Sequence, residues 1–190
     1  MVCLSISLLG SLSVTLDGQP VDSFEYNKVG ALLAYLAIEN ESPHRREALA
    51  CLLWPDQPQK AALDSLRNAL SKLRQAIGDH HTDPPYLFIT NDAIQFNRAS
   101  DHKLDVNRFT NLLEASKSHH HRRLESCKTC SERLKQAVEL YWGEFLEGFY
   151  LADSDLFNDW VSLKREKCSR MALESLQQLA SIYEWRGDYD

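Results

Sequence analysis

The strongest hydrophobic pattern in the chain runs through residues 57–78. Its large apolar residues recur at alternating intervals of three and four positions: Leu63, Leu66, Leu70, Leu73 and Ile77. This spacing forms one apolar stripe at about 100° per residue, so the pattern predicts a single amphipathic helix. Pro58 is expected in its first turn and Gly78 just beyond its last apolar position, where each residue type is favoured.

The face opposite this stripe is polar and basic. Four cationic side chains there oppose one acid, Asp64. Arginine, asparagine and glutamine can read base edges in a DNA major groove, while lysine and serine reach phosphates. The helix at 59–77 is therefore a candidate for DNA recognition, with a plain surface helix as the alternative. Its candidate contacts are Lys60, Arg67, Asn68, Ser71, Lys72, Arg74 and Gln75. Arg67 and Asn68 are expected to read bases, and Lys72 and Arg74 to contact phosphates.

Alternating apolar and polar residues open the chain. Residues 2–16 contain two such runs separated at Gly10, and Asp17-Gly18 is a strong hairpin signal. Residues 21–26 are expected to form the return strand. The chain is therefore predicted to begin with a small antiparallel sheet.

Two helical patterns lie between this sheet and the amphipathic helix. Residues 28–39 are apolar nearly all round, which predicts a buried helix. Residues 44–53 predict a shorter helix with Arg45 and Arg46 in its first turn. Trp54-Pro55 is expected to end this helix, and the amphipathic helix begins a few residues later. The helix at 44–53 and the amphipathic helix with its basic face, separated by this tight break, form a helix-turn-helix pattern.

A second hairpin follows the amphipathic helix. Apolar segments at 86–89 and 93–96 flank the polar residues 90–92. A hairpin directly after a recognition helix is a wing, so residues 1–98 are predicted to form a winged helix-turn-helix domain with an N-terminal antiparallel sheet. Arg45, Arg46 and the wing tip, which includes Thr90 and Asn91, are placed for backbone or minor-groove contact.

Beyond a short connector at 99–104, the pattern is purely helical. Asp105 is expected to cap the first helix, and Asp153 or Ser154 a long final one. The aromatic residues of this region are expected to pack in the interior or between helices: Tyr141, Trp142, Trp160 and Trp185.

The end of the long helix has the pattern of a tetratricopeptide-type (TPR-like) helix and its turn. The pattern consists of Leu176, Leu179 and Tyr183, followed by Gly187 and Asp188. Another helix would normally cover this apolar face. We therefore expect an all-α, TPR-like domain at 105–190 that is truncated at its C-terminus.

Taken in order, these motifs resemble those of the SARP-type transcriptional activators. Residues 4–98 resemble the OmpR-type winged helix, through Leu8-Leu9-Gly10, Arg46-Glu47-Ala48-Leu49 and Ser65-Leu66-Arg67-Asn68. Residues 105–189 resemble the bacterial transcriptional activation domain (BTAD) that follows it, through Asp105-Val106, Gly143-Glu144-Phe145-Leu146 and Arg186-Gly187-Asp188-Tyr189. The resemblance implies a bacterial activator that binds promoter repeats in double-stranded DNA and contacts RNA polymerase. Binding to repeated half-sites is compatible with a homodimer.

Composition restricts how such a protein can bind DNA. The net charge of −6 argues against coating nucleic acid by bulk charge, so any contact is focused on the basic helix. The same acidity supports an alternative, a helical-repeat scaffold whose winged helix binds protein. The chain begins without a signal-peptide pattern and has no membrane-length apolar run, and its five cysteines are odd in number and irregularly spaced. These features predict a cytoplasmic protein without a membrane partner.

The sequence shows no enzymatic motif. A phosphate-binding G-x-x-x-x-G-K-[ST] run and a G-x-S-x-G elbow are both missing, so we expect no catalytic residues, no enzyme activity and no cofactor.

One group of residues could bind zinc. His119-His120-His121 precedes Cys127 and Cys130, residue types that bind this metal. The sequence favours a structural role, with both cysteines on the inner stripe of a helix and the histidines in a solvated loop, because a second paired-ligand element with helix-to-helix spacing is missing. The prediction is no metal.

Overall fold

The structure, a computed structural model, describes residues 3–21 and 27–187. In these ranges the strands are β1 (Leu4–Ser7), β2 (Ser13–Leu16), β3 (Gln19–Pro20), β4 (His44–Arg45), β5 (Leu87–Ile89), β6 (Ala93–Phe96) and β7 (His102–Leu104). The helices are α1 (Asn27–Ile38), α2 (Arg46–Leu53), α3 (Gln59–Ala76), α4 (Asp105–Lys117), α5 (Lys128–Leu140) and α6 (Asp155–Arg186). None of these helices combines the length and the apolar character that a bilayer crossing requires.

The first sheet has the strand order β3-β2-β1-β7. Leu4 and Ile6 of β1 and Val14 of β2 are buried, as their alternation predicts. The return strand β3 begins at Gln19, earlier than predicted, and residues 22–26 of the predicted strand lie outside the described residues.

Strand β7 corrects the prediction of a connector at 99–104. It pairs in parallel with β1, so a segment from the middle of the chain completes the N-terminal sheet. Three residues are too few to show a recognisable alternation of apolar and polar positions. The strand forms because it can hydrogen-bond to the open edge of β1, which lies about a hundred positions earlier in the sequence.

Helices α1 and α3 pack against each other through the residues that the periodicity selects. Leu32, Leu33 and Leu36 of α1 are fully buried, and Leu66 and Leu73 of α3 are equally inaccessible. Burial of such a side chain stabilises the fold by about 1.5–3 kcal/mol. Directly beyond α3, Gly78 adopts a φ of +65°, the left-handed conformation expected after a helix end.

A second, three-stranded sheet lies beside α1 and α2, with the strand order β4-β6-β5. The predicted hairpin corresponds to β5 and β6. Strand β4 was not predicted: His44 and Arg45 pair with Ile94 and Ala93 of β6, so α2 begins at Arg46 and not at residue 44.

The second half contains the three predicted helical segments, but several side chains differ from expectation. Trp142 is 88% exposed and Trp185 55% exposed, so neither forms part of the interior. Trp160 does pack, with ring contacts to Tyr35, Phe145 and Phe157. On α6, Leu176 and Tyr183 are exposed, whereas Leu179, predicted on the same open face, is buried.

The two halves share backbone and side-chain contacts. One oxygen of Asp105 accepts hydrogen bonds from the backbone amides of Leu8 and Leu9, each at 2.8 Å. Ser154 occupies the predicted cap position of α6, but its hydroxyl donates to the carbonyl of Leu52. Asp105 and Ser154, which were expected to cap helices, therefore form hydrogen bonds to residues distant in the sequence.

Candidate nucleic-acid interface

The outer face of α3 is exposed to solvent along most of the helix. The stripe formed by Leu66, Leu70 and Leu73 is buried against the interior, which directs the opposite face to solvent. The exposed candidate side chains on it are Lys60, Arg67, Asn68, Ser71 and Gln75. Lys72 is half-buried.

Arg67 forms a surface ion pair with Asp64, one turn earlier on the same helix. Its Nη1 lies 2.9 Å from the Asp64 carboxylate, and the two side chains are 73% and 51% exposed. Exposed pairs of this kind are worth about 0–1 kcal/mol, so Arg67 can leave Asp64 for a phosphate or a base at little cost.

Arg74, which is expected to contact phosphates, forms an ion pair within the protein. Its Nε donates to the fully buried carboxylate of Asp79 at 2.8 Å, and its Nη2 lies 3.1 Å from Nδ1 of His80. The other oxygen of Asp79 accepts the backbone amide of Leu87, at 3.0 Å. The charge of Arg74 is therefore used to join α3 to strand β5.

Arg46 is also occupied within the protein. Its guanidinium donates two hydrogen bonds to the Thr90 carbonyl, at 3.1 and 2.9 Å, and its backbone amide donates to the carbonyl of Asp92. These bonds fix the β5–β6 turn against α2. Arg45 is exposed beside this turn, and Thr90 and Asn91 are exposed within it.

A cleft runs along one side of α3, a feature that sequence reasoning missed. It has a volume of about 870 Å³ and lies between Asn68, Ser71 and Lys72 on α3 and residues 150–153 of the second half. Tyr150, which is 60% exposed, borders it. The two walls of the cleft are some eighty positions apart in the sequence, so no local pattern could predict that they lie close together.

The histidines and cysteines that were predicted to have separate roles lie together. Cys127 immediately precedes α5 and is half-buried, so it is not on an inner helical stripe, whereas Cys130 is fully buried. The ligand atoms of His119, His121, Cys127 and Cys130 all lie within 4.8 Å of one another. The loop after α4 therefore supplies a second pair of side chains of metal-binding type, which the sequence spacing did not predict.

With these features described, comparison with known proteins relates the chain to transcriptional regulators. It is homologous to the transcriptional regulatory protein EmbR of Mycobacterium tuberculosis and of Mycobacterium bovis, with 38% identity over 81 residues in each. The match covers 43% of this chain and 21% of each relative, so the chain spans about a fifth of the length of the curated relatives it matches. No family model matches.

The fold likeness extends over nearly the whole chain. A solved structure described as Mycobacterium tuberculosis EmbR in complex with a low-affinity phosphopeptide superposes with a TM-score of 0.76 over 99% of this chain and 47% of that one, at 24% identity. The mixed α/β arrangement, an N-terminal four-stranded sheet followed by helices and a helical C-terminal region, is thus shared with EmbR. The resemblance to SARP-type regulators inferred from the sequence is confirmed by this relationship.

Proposed function

We propose that this chain is the DNA-binding part of a transcriptional regulator, in which residues 1–98 form a winged helix and α3 enters the major groove. The observation that carries the proposal is the exposed polar face of α3, which holds Lys60, Arg67, Asn68, Ser71 and Gln75 above a fully buried leucine stripe. Homology to EmbR, named as a transcriptional regulatory protein, supports the same function.

The wing supports this proposal as a second point of contact. The β5–β6 turn is held to α2 by Arg46, which leaves Thr90, Asn91 and Arg45 in solvent beside it. We propose that these three residues contact the DNA backbone or minor groove while α3 reads bases. Arg74 is excluded from the contact set, because its pairing with Asp79 contributes to the fold.

The helical half, residues 105–190, is proposed to act through protein contacts and without enzymatic activity or a cofactor in catalysis. RNA polymerase is the proposed partner, and a homodimer on repeated half-sites the proposed assembly. Both rest on the SARP-type resemblance. The cleft between α3 and residues 150–153 places this half beside the proposed DNA surface, where Tyr150 can adjoin the bound duplex.

The experiment begins with selection of bound sequences from a random duplex pool. Affinity for the selected duplex is then measured for Arg67→Ala and Lys60→Ala, with Lys135→Ala, an exposed cation of α5, as the matched control. Loss of a base contact at Arg67 is expected to weaken the selected duplex by about 1–3 kcal/mol relative to other sequences. Loss of a phosphate contact at Lys60 is expected to weaken all duplexes and reduce the salt slope by about one unit.

If the chain is instead a protein-binding scaffold, neither substitution is expected to affect binding to the duplex. Folded Arg67→Ala and Lys60→Ala proteins that bind the duplex as tightly as wild type would contradict the proposal for α3. Absence of any salt-dependent binding to duplex DNA by the wild-type chain would favour the scaffold, in agreement with the net charge of −6.

A further inference from the structure

Four side chains of metal-binding type converge where α4 gives way to α5. His119 and His121 lie in the loop after α4, while Cys127 and Cys130 flank the start of α5. Their ligand atoms, one from each side chain, all lie within 4.8 Å of one another. The cluster lies in the helical half of the chain and includes no residue of the proposed DNA interface.

Three donor–donor distances within the cluster are close to those of tetrahedral coordination, and no distance among the four atoms exceeds 4.8 Å. Zn–S bonds of about 2.3 Å and Zn–N bonds of about 2.0–2.1 Å place neighbouring donor atoms of a tetrahedron about 3.4–3.8 Å apart. Nδ1 of His119 lies 3.2 Å from Sγ of Cys130 and 3.4 Å from Sγ of Cys127. Nδ1 of His121 lies 3.7 Å from Sγ of Cys130. A small contraction or expansion of these contacts would centre one cation among all four atoms.

The donor atoms of the cluster face one another. Sγ of Cys130 lies near three polar atoms at once, Nδ1 of His119, Nδ1 of His121 and the carbonyl of Ser116, and its one thiol proton can be donated to only one of them. Nδ1 of His119 likewise lies near both sulfur atoms and carries at most one proton. A central cation would instead receive one lone pair from each of the four groups.

We propose that His119, His121, Cys127 and Cys130 bind one Zn²⁺ ion in a closed tetrahedral site that fastens the α4–α5 connection. Two cysteine thiolates and two histidine imidazoles are one of the common ligand sets of structural zinc sites. Since the protein fills all four positions, no site is open for water or substrate, and the role is structural. The two thiolates balance the charge of the ion.

The location explains what the metal would contribute. The remaining hydrogen bonds described for residues 118–127 are local, such as those from the Cys127 amide to Leu124 and from the Ser126 hydroxyl to Arg123. Zinc would join the loop directly to the buried start of α5, next to Arg133, which donates to the Ala115 carbonyl at the end of α4. This proposal reverses the expectation of no metal, because the loop supplies the second ligand pair that the spacing did not reveal.

The test uses the full chain purified without an affinity tag, since the chain has its own run of three histidines. After dialysis in a thiol-reducing buffer, metal analysis is expected to find about one zinc per chain. Cys127→Ser and His119→Gln are expected to lower this content about tenfold or more. His120→Gln, between the two proposed ligands, and Cys51→Ser, an exposed cysteine elsewhere, are the matched controls and are expected to keep the metal.

Cobalt substitution tests the geometry in the wild-type chain, independently of whether any variant folds. Co²⁺ at the site is expected to show the visible bands of a tetrahedral ion together with thiolate-to-cobalt charge transfer, and addition of Zn²⁺ should abolish both. Zinc below about 0.1 per chain in the purified protein would overturn the proposal. So would loss of zinc on His120→Gln with retention on Cys127→Ser, which is the result for adventitious histidine binding, or a cobalt spectrum without thiolate charge transfer.

Discussion

Asp79 is a fully buried carboxylate directly after α3, and its two oxygens have different partners. One accepts from Arg74 and the other from the amide of Leu87. A charge can be buried when it is paired and hydrogen-bonded, and Asp79 meets both conditions. Arg67 lies seven positions before Arg74 on the same helix. It pairs only with the exposed carboxylate of Asp64, and this pair does not join α3 to another element. Two arginines of one helix face thus have different roles.

At this scale we predict that Asp79→Ala destabilises the fold by about 2–4 kcal/mol, because it leaves the Leu87 amide without an acceptor and Arg74 without its partner. Arg67→Ala, which breaks an exposed pair on the same helix, should change stability by no more than about 0.5 kcal/mol. The measurement is the free energy of unfolding in urea for both variants. Equal losses in the two would show that burial does not distinguish these ion pairs.

At the scale of elements, Asp105 at the start of α4 links that helix to Leu8 and Leu9, which directly follow strand β1. Burial raises the pKa of the Asp105 carboxyl, and the hydrogen bonds from the amides of Leu9 and Leu8 oppose the rise. Strand β7, which ends one residue before Asp105, pairs with the same strand β1. The pairing of β7 with β1 and the hydrogen bonds to the Asp105 carboxylate thus together fix the direction of α4 relative to the first sheet.

We predict that Asp105→Ala lowers the free energy of unfolding by about 2–3 kcal/mol, because two backbone amides lose their acceptor. Glu114→Ala, an exposed carboxylate of the same helix, is the control and should stay within about 0.5 kcal/mol of wild type. Hydrogen exchange at the amides of Leu8 and Leu9 provides a local readout. Unchanged exchange there in Asp105→Ala would argue against the proposed link.

At the scale of the whole molecule, Glu39 connects the two halves. Its carboxylate accepts from Nε1 of Trp160 at 2.8 Å and pairs with Lys164 at 2.6 Å, both on α6. Burial by itself would raise the pKa of Glu39, but the hydrogen bonds from Lys164 and Trp160, and the charges of Lys164 and His44, outweigh it, so the pKa lies below its ordinary value of 4.5. The neighbouring Tyr35 has a raised pKa, from burial first and then from the charge of Glu39.

A carboxyl with a depressed pKa in the folded state gives stability that is present above its unfolded pKa and lost as pH falls through the folded pKa. We therefore predict that the wild-type chain loses stability to acid below about pH 4.5 more steeply than Glu39→Gln does. At neutral pH the variant should be less stable by about 1 kcal/mol, since the pair with Lys164 is partly exposed.

The measurement is urea unfolding at several pH values, with Glu41→Gln as the control because Glu41 is an exposed carboxylate two positions further on. Glu41→Gln should follow the wild-type pH dependence. Parallel curves for wild type and Glu39→Gln would contradict the role assigned to Glu39.

The amphipathic stripe of α3, the buried character of α1 and the β5–β6 hairpin could all be predicted from sequence. Each depends on periodicity or turn chemistry within fewer than twenty residues, and burial of that stripe alone directs Lys60, Arg67 and Gln75 outward. Charge and residue type on that exposed face are sufficient to predict DNA binding without knowledge of any tertiary contact.

Only the tertiary structure decided which polar groups are occupied and which are brought together. Arg74 pairs across a turn with Asp79, and Arg46 with a hairpin turn 44 positions away. Cys127, just before α5, and Cys130 within it lie beside histidines of a loop whose spacing to them follows no local period. Partners of this kind are selected by the packing of whole elements, and a buried polar group must then bond to whatever that packing places beside it. A period of two or 3.6 residues records which face is buried, but it contains no information about the partner that covers that face.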